Sequence, residues 1–280
     1  MPAERARITK AVIPAAGLGT RLRPLTLATP KELLPLGPKA TAEYIVEELR
    51  AVGIEDIMFV ISQQKTGIRD YFGESACNGA LRFRYATQQV QRGLADAIMQ
   101  AEELVRGEHF IVALGDTVIL SESRDTPLAR LVAAYQGNPA FASLLVEQVP
   151  ARDACKYGMV APVGEIGGGA FEVCGVVEKP SAEESPSDYA IGGRYIFGPE
   201  IFDWIRRTPA GALGEQQITD SVRLAIAAGE RVWCVPTGRG EYRYDIGDFE
   251  VYCRAFIAAC LQDPRLSAAV EAAVKEHRRT

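Results

Sequence analysis

The residues with the clearest chemistry follow a short apolar run near the N-terminus, where two glycines are succeeded by basic side chains. Gly17 and Gly19 allow positive backbone φ angles and a close approach of the chain to a ligand. Successive backbone N–H groups in such a turn form a concave surface that accepts anions. Arg21 and Lys31 add a forked, planar cation and a point charge. The stretch therefore predicts a site for a triphosphate.

Two familiar phosphate-binding loops do not match this stretch. A dinucleotide-binding fingerprint needs a third glycine, whereas residues 17–22 end in Leu22, which also argues against a dinucleotide-dependent oxidoreductase. A P-loop needs Lys followed by Ser or Thr, whereas Lys31 is followed by Glu32. A plain strand-to-helix turn with solvated basic side chains is the structural alternative to phosphate binding.

Two groups of charged residues follow predicted strands. Asp116 comes after the apolar run 110–114, where a carboxylate at a strand end is placed for Mg²⁺, which binds few carboxylates plus substrate phosphates. A helix N-cap or turn aspartate is the alternative. Glu178 and Lys179 end another strand before Pro180, and ordinary surface charges are the alternative there.

The string from Gly17 to Lys31 resembles the signature of the sugar-phosphate nucleotidylyltransferase family, G-x-G-T-R-L followed some nine residues later by P-K. Residues 30–36, PKELLPL, are most similar to its UTP–glucose-1-phosphate uridylyltransferase branch, and weaker similarity continues to about residue 256. Asp245 lies in a segment that resembles the family's second metal-binding Asp-x-Gly. The neighbouring Asp248 is interpreted as a helix N-cap.

The resemblance implies a role for each matching residue. Catalytic roles are implied for Arg21, Lys31 and Lys179, and Mg²⁺ binding for Asp116 and Asp245. Nucleotide binding is implied for Ala15, Ala16, Gly17, Gly19, Thr20, Gln88 and Gly93, with Gln88 preferred over Gln89 as the group that reads a pyrimidine. Sugar-phosphate binding is implied for Gly158, Glu178, Lys179 and Gly192, although a buried strand crossing would explain Gly192 equally well.

The activity implied is transfer of a uridylyl group from UTP to glucose 1-phosphate, which yields UDP-glucose and pyrophosphate. Some motifs favour UTP, namely those at 30–32, 176–180 and 190–195. The short segment before Gln88 and the motifs Leu-Gly-Asp (114–116) and Gly-Leu-Ala (93–95) instead favour dTTP and a thymidylyltransferase. A non-catalytic nucleotide-sugar sensor is the alternative of another class.

Composition limits the remaining possibilities. The net charge of −5 argues against nucleic-acid and anionic-membrane partners. Six cysteines without a C-x-x-C and only two histidines argue against a thiolate or imidazole metal site and predict reduced core cysteines in a cytoplasmic protein. We find no signal peptide and no membrane-length apolar run. The resemblance implies a homodimer or homotetramer.

Strand and helix signals alternate through the first half, which predicts right-handed crossovers and parallel strands. The expected fold is α/β, with a Rossmann-like, mostly parallel central sheet flanked by helices and a β-rich sugar-binding lobe of the nucleotide-diphospho-sugar transferase type. We expect one domain over residues 1–280, with a nucleotide-binding half (about 7–140), a sugar-binding half (about 141–262) and a C-terminal helix (263–280). Predicted helices include 41–52, 66–72, 94–105, 199–206, 216–228, 249–261 and 266–278.

Overall fold

The computed structural model of the chain describes residues 7–277 except 124, 139, 212 and 213, so the predicted helix end at Arg278 lies outside the described residues. The strands in this part of the chain are β1 (Lys10–Pro14), β2 (Pro35–Leu36), β3 (Lys39–Ala40), β4 (Asp56–Ile61), β5 (Ser75–Ala76), β6 (Leu81–Thr87), β7 (Phe110–Ala113), β8 (Thr117–Ser121), β9 (Ala142–Gln148), β10 (Gly158–Pro162), β11 (Phe171–Glu178), β12 (Tyr189–Phe197), β13 (Val232–Pro236) and β14 (Glu241–Asp245).

The α-helices cover both faces of the sheet region and the C-terminal end of the described chain. They are α1 (Thr41–Ala51), α2 (Gly67–Phe72), α3 (Leu94–Met99), α4 (Glu102–Val105), α5 (Pro127–Gly137), α6 (Ile201–Arg207), α7 (Ile218–Ala227), α8 (Phe249–Gln262) and α9 (Ser267–His277). The helix predicted over 94–105 is therefore wrong as one element. It breaks into α3 and α4 at Gln100 and Ala101, whose N–H groups donate to carbonyls three residues back, Ala97 and Ile98, instead of four.

Ten strands form one sheet in the order β10-β11-β13-β9-β12-β7-β1-β4-β6-β5. The segment β7-β1-β4-β6 is parallel, as predicted from the alternating pattern. Beyond β7 the sheet is mixed, because β12 runs antiparallel to both of its neighbours and β10–β11 is an antiparallel hairpin. The prediction of a mostly parallel sheet is thus wrong for the second half. A short turn explains the antiparallel direction of β10 and β11, whereas β12 reaches its antiparallel neighbours β7 and β9 through longer connections.

A small apolar cluster away from the main sheet supports the region that carries the predicted charges. Its buried side chains come from the loop after β1, from β8, from the residue after β14 and from α8, and include Leu22, Leu34, Val118, Ile246 and Ala255. The cluster therefore packs the two-stranded pair β8–β14 against the segment that follows the glycine turn.

The cysteines differ from the expectation of core residues. All six are unpaired, but only Cys234 and Cys260 are buried. Cys174 lies on the outward face of β11 and Cys253 on the solvent side of α8. None of the helices in the described part of the chain is long and apolar enough to span a bilayer.

We predict that Ile246→Ala lowers the free energy of unfolding by about 2–5 kcal/mol, because a fully buried side chain leaves a cavity. Ile246→Val should cost about 0.5–1.5 kcal/mol. Val163, directly after β10, is 54% exposed, and its replacement by Ala should stay within about 0.5 kcal/mol. Urea unfolding measures all three, and equal effects of the two alanine variants would contradict the role of the cluster.

Candidate active site

The glycine turn is a continuation of β1 at its carboxyl end. Ala15 N–H still donates to the carbonyl of Val60, over 2.8 Å, before the chain leaves the sheet. Gly19 has a φ of +63° and begins a 3-10 helix at Thr20–Leu22, and its carbonyl accepts a 2.7 Å hydrogen bond from Thr26 Oγ1. Gly19 thus has the left-handed backbone that was predicted, whereas Gly17 does not adopt a positive φ.

Lys31 lies directly over this turn. A Cβ placed on Gly17 would be 3.8 Å from Lys31 Nζ, and the same ammonium forms an ion pair with Asp116. Burial alone would lower the pKa of Lys31, but attraction to Asp116 and Glu32 outweighs it and raises the pKa. Burial alone would likewise raise the pKa of Asp116, and Lys31 lowers it. Lys31 therefore stays protonated at neutral pH and places a positive charge beside the turn.

The structure brings Asp245 to Asp116, which sequence spacing alone could not show. In the antiparallel pair β8–β14, Asp245 lies opposite Thr117, and Ile246 N–H donates to the carbonyl of Asp116 over 2.8 Å. Burial, and then repulsion from the Asp116 carboxylate, raise the pKa of Asp245. Two half-buried carboxylates thus lie side by side, and Arg243, Lys31 and Arg21 only partly offset the rise in the pKa of Asp245.

This donor set fits a divalent cation that takes further ligands from a bound phosphate. Among the described residues there is no cluster of three or more His, Cys, Asp or Glu side chains that could hold a metal. Two carboxylates are nevertheless the usual protein contribution to Mg²⁺, which completes its octahedron with water and substrate phosphate oxygens. The observation that favours a cation here is that the β8–β14 ladder sets Asp245 beside Asp116. Burial and then repulsion from Asp116 raise the pKa of Asp245, and added positive charge would oppose both effects.

Two cavities meet at Asp116. The larger, about 850 Å³, is lined by Arg21, Asp116, Lys179, Arg243 and Asp245 among others. The smaller, about 300 Å³, is lined by Ala16, Gly17, Lys31, Gln88 and Gly93 among others, whereas the predicted Ala15, Gly19 and Thr20 line neither cavity. Leu114 and Asp116 line both cavities. A ligand that extends from one cavity into the other must therefore pass the paired carboxylates.

Arg21 stands at the wall of the larger cavity beside the last turn before α8. A Cβ on Gly247 would lie 2.5 Å from Arg21 Nη2, so a side chain at this position would displace the guanidinium. Its charge also reaches Asp245, where it opposes the rise in the pKa of that carboxyl. The small residue at position 247 thus leaves room for the cation beside the carboxylates.

The smaller cavity contains Gln88, which is 3% exposed, whereas Gln89 is on the surface. Gln88 Nε2 donates to Asp96 Oδ2 over 2.7 Å and to the carbonyl of Gly93 over 3.2 Å. Gly93 has a φ of +100°, and a Cβ there would lie 2.8 Å from the backbone nitrogen of Gln216. Both predicted base-binding residues therefore share one wall, and Gly93 also has a packing reason to be glycine.

On the sugar side, Gly158 and Glu178 are paired across β10 and β11. A Cβ on Gly158 would be 3.3 Å from Glu178 Oε2, so glycine lets the carboxylate lie against the backbone. Lys179 has a φ of +46°, which is uncommon for a residue other than glycine, and its ammonium is 3.4 Å from Glu178 Oε1. Such strain often accompanies functional positions.

Packing explains the positions of two predicted residues, Gly192 and Ala15, whereas the predicted Thr20 is exposed. A Cβ on Gly192 would lie 3.3 Å from the carbonyl of Leu145, so the bulge in β12 needs a small residue there. Ala15 is buried, and its carbonyl accepts a hydrogen bond from Lys65. Thr20 begins the short 3-10 helix that carries Arg21.

Sequence reasoning missed two ionic groups at the site. Lys65 Nζ donates to Glu32 Oε2 over 2.8 Å beneath the glycine turn, and both side chains are buried. Arg243 Nε donates to Glu147 Oε1 over 2.7 Å, and its guanidinium lies 4.4 Å from the centre of the Tyr157 ring. The period of two along β14 could have identified Arg243, because it shares a strand face with Asp245.

Comparison with known proteins adds to this geometry. The sequence profile of the family described as Nucleotidyl transferase matches residues 10–260. The chain is 35% identical to a UTP–glucose-1-phosphate uridylyltransferase of Streptococcus pyogenes, with 93% of this chain and 91% of that protein covered. It is similar to a crystal structure of UDP-glucose pyrophosphorylase with UDP-glucose (TM-score 0.82, 33% identity, 90% and 98% covered). It is also similar to UTP-bound UGPase of Acinetobacter baumannii (TM-score 0.87, 26% identity, 96% and 99% covered).

Proposed function

Because the chain belongs to the Nucleotidyl transferase family, we propose that it transfers the uridylyl group of UTP to glucose 1-phosphate and releases pyrophosphate. The observation that carries this proposal is the position of Asp116. It lies where the two cavities join, in an ion pair with Lys31 and beside Asp245. A phosphorus atom at that junction would be reachable from both cavities.

On the donor side, the backbone N–H groups of the glycine turn and the cations Arg21 and Lys31 hold the triphosphate. Lys31 would exchange its ion pair with Asp116 for contact with phosphate oxygens, and it carries a full charge because its pKa is raised. Asp116 and Asp245 would hold Mg²⁺, which when bound supplies charge neutralisation at the α-phosphate. Ala15, Ala16, Gly17, Gly19 and Thr20 shape the backbone around this group.

On the acceptor side, the larger cavity would take glucose 1-phosphate. Lys179 lines this cavity and supplies a cation for the acceptor phosphate, which must approach a donor of like charge. Arg243 lines the same cavity and adds a second cation. Glu178, beside Lys179, would accept hydrogen bonds from sugar hydroxyls, and Gly158 and Gly192 would offer the sugar a backbone without side chains. Gly158 and Glu178 are next in the chain to Tyr157 and Lys179, which line the larger cavity, but neither they nor Gly192 belong to its lining among the described residues.

The reaction needs no general base, because the attacking oxygen of the sugar phosphate is already anionic. Catalysis then consists of positioning two phosphates in line and neutralising the charge that accumulates between them. The residues present agree with this requirement, because the shared wall carries cations and carboxylates. A sensor would not need this combination of Arg21, Lys31 and Lys179 around the carboxylate pair.

The base is held by Gln88 and Gly93 in the smaller cavity. Both uracil and thymine present an N3–H group beside a carbonyl, so these contacts fit either base. The names of the relatives described above refer to UTP or UDP-glucose. This favours UTP over dTTP for this chain.

Assembly and location are proposed on separate grounds. Ile257 and Leu261 of α8 and Val274 of α9 expose large apolar side chains, and α9 has no buried residue, which supports a homodimer or homotetramer formed through this surface. A mass of one chain in light scattering would contradict such an assembly.

Unpaired cysteines and a nucleoside triphosphate substrate support a cytoplasmic location. The ten-stranded sheet, which takes strands from both halves, supports a single domain.

We predict that the protein forms UDP-glucose from UTP and glucose 1-phosphate in the presence of Mg²⁺. Pyrophosphate release should be fastest with UTP when UTP, dTTP, CTP, ATP and GTP are compared at equal concentration. Chelation with EDTA should abolish turnover, and added Mg²⁺ should restore it. Faster turnover of dTTP would instead identify a thymidylyltransferase, and nucleotide binding without turnover would identify a sensor.

Lys179→Ala should lower kcat/KM for glucose 1-phosphate by about 100-fold or more, because a cation at the reacting phosphates is lost. The matched control is Lys39→Ala, since Lys39 pairs with Glu47 at the surface of α1. Initial-rate kinetics of both variants measure the difference. Wild-type kinetics in Lys179→Ala would exclude this lysine from the site.

A further inference from the structure

The amide of Gln88 is held in one orientation. Its nitrogen donates to two acceptors, Asp96 Oδ2 at 2.7 Å and the Gly93 carbonyl at 3.2 Å. Its oxygen, Oε1, receives no hydrogen bond from any residue in the described part of the chain, and it is not one of the fully enclosed polar atoms that lack a partner. Because Gln88 lines the smaller cavity, Oε1 is left to a ligand in that cavity.

Asp96 favours this one of the two possible orientations of the Gln88 amide. A carboxylate can only accept, whereas an amide can present either a donor or an acceptor. If the Gln88 amide turned over, its oxygen would face the carboxylate of Asp96 and the carbonyl of Gly93 and lose both hydrogen bonds. The partly buried Asp96 lies in the first turn of α3, where a negative charge is also favourable.

The second polar group of this wall is the N–H of Gly93. It donates to no acceptor within the described residues, so it stands as a donor near the Oε1 acceptor of Gln88. Uracil and thymine offer a carbonyl beside N3–H on both flanks of N3, and such a donor–acceptor pair fits either flank. Cytosine has an acceptor at N3. Only the amino group of cytosine could donate to Gln88 Oε1. To bring it there, the base would have to shift while its ribose and phosphates stay in place.

We propose that Asp96 is a specificity-determining residue that selects uracil-type bases over cytosine by fixing the acceptor side of Gln88 toward the nucleotide. This inference rests on the proposed function, and it acts through Gln88, so Asp96 is a positioning residue. It does not separate UTP from dTTP, because both bases carry N3–H. A purely structural role for Asp96, as an acid that stabilises the first turn of α3, is the competing explanation.

The test compares wild type with Asp96→Ala, Asp96→Asn and Glu103→Ala. Glu103 is a first-turn acid of the next helix, α4, is exposed, and lines neither cavity among the residues that the structure describes. For each protein, kcat/KM is measured for UTP, dTTP and CTP with glucose 1-phosphate and Mg²⁺. Calorimetry with Mg²⁺ and each triphosphate, without the acceptor, gives the same selectivity independently of turnover.

Asp96→Ala should lower the ratio of kcat/KM for UTP to kcat/KM for CTP by about tenfold. This is the low end of the effect expected for loss of a hydrogen bond to a charged group. The kcat/KM values for UTP and dTTP should fall by the same factor, so the ratio between them should not change. Asp96→Asn keeps an oxygen that accepts from Gln88 and should restore most of the selectivity. Glu103→Ala should leave both the UTP-to-CTP and the UTP-to-dTTP ratio of kcat/KM at the wild-type value.

Equal losses with all three triphosphates in Asp96→Ala would overturn the proposal and assign Asp96 to the helix alone. A wild-type protein that binds CTP as tightly as UTP would also overturn it. Selective binding of UTP that weakens in Asp96→Ala, without turnover in wild type, would support the proposal and refute only the proposed transferase activity.

Discussion

The antiparallel pairing of β8 with β14 is the constraint on which the site depends. It sets Asp245 opposite Thr117 and joins Ile246 N–H to the carbonyl of Asp116. The two carboxylates come from distant parts of the chain, and this short ladder is what holds them together. The apolar cluster around Ile246 then fixes the pair against the segment that carries Arg21. Packing, a backbone ladder and the charge cluster are therefore one unit.

Charge balance explains why so many ionic side chains are tolerated below the surface. Lys31 neutralises Asp116, and Lys65 neutralises Glu32 directly beneath the turn, while Asp245 remains with a raised pKa. A buried charge is strongly destabilising when its partner is absent. Arg243, Lys31 and Arg21 compensate Asp245 only in part, so a bound cation would stabilise the structure there, at the place where the donor phosphates are proposed to lie.

The sequence alone predicted the parts of the site that are local. Gly17, Gly19 and Lys31 are close in the chain, so a tight turn with a cation beside it follows from their spacing and backbone freedom. The strand before Asp116 follows from its apolar run. The joining of Asp116 to Asp245 did not follow, because β8 and β14 are short strands outside the main sheet, and their pairing is set by tertiary packing.

The mixed direction of the sheet preserves the arrangement that matters for binding. In α/β sheets, ligands lie beyond the carboxyl ends of parallel strands. Here β1, β4, β6 and β7 are parallel, and β9 runs with them because β12 lies antiparallel between β7 and β9. Gly17, Lys65, Gln88 and Asp116 each follow one of the first four strands, and Glu147 lies near the end of β9. The antiparallel strand β12 therefore extends the binding edge toward the larger cavity instead of interrupting it. Nucleotide and acceptor groups can thus meet along one edge of a single sheet.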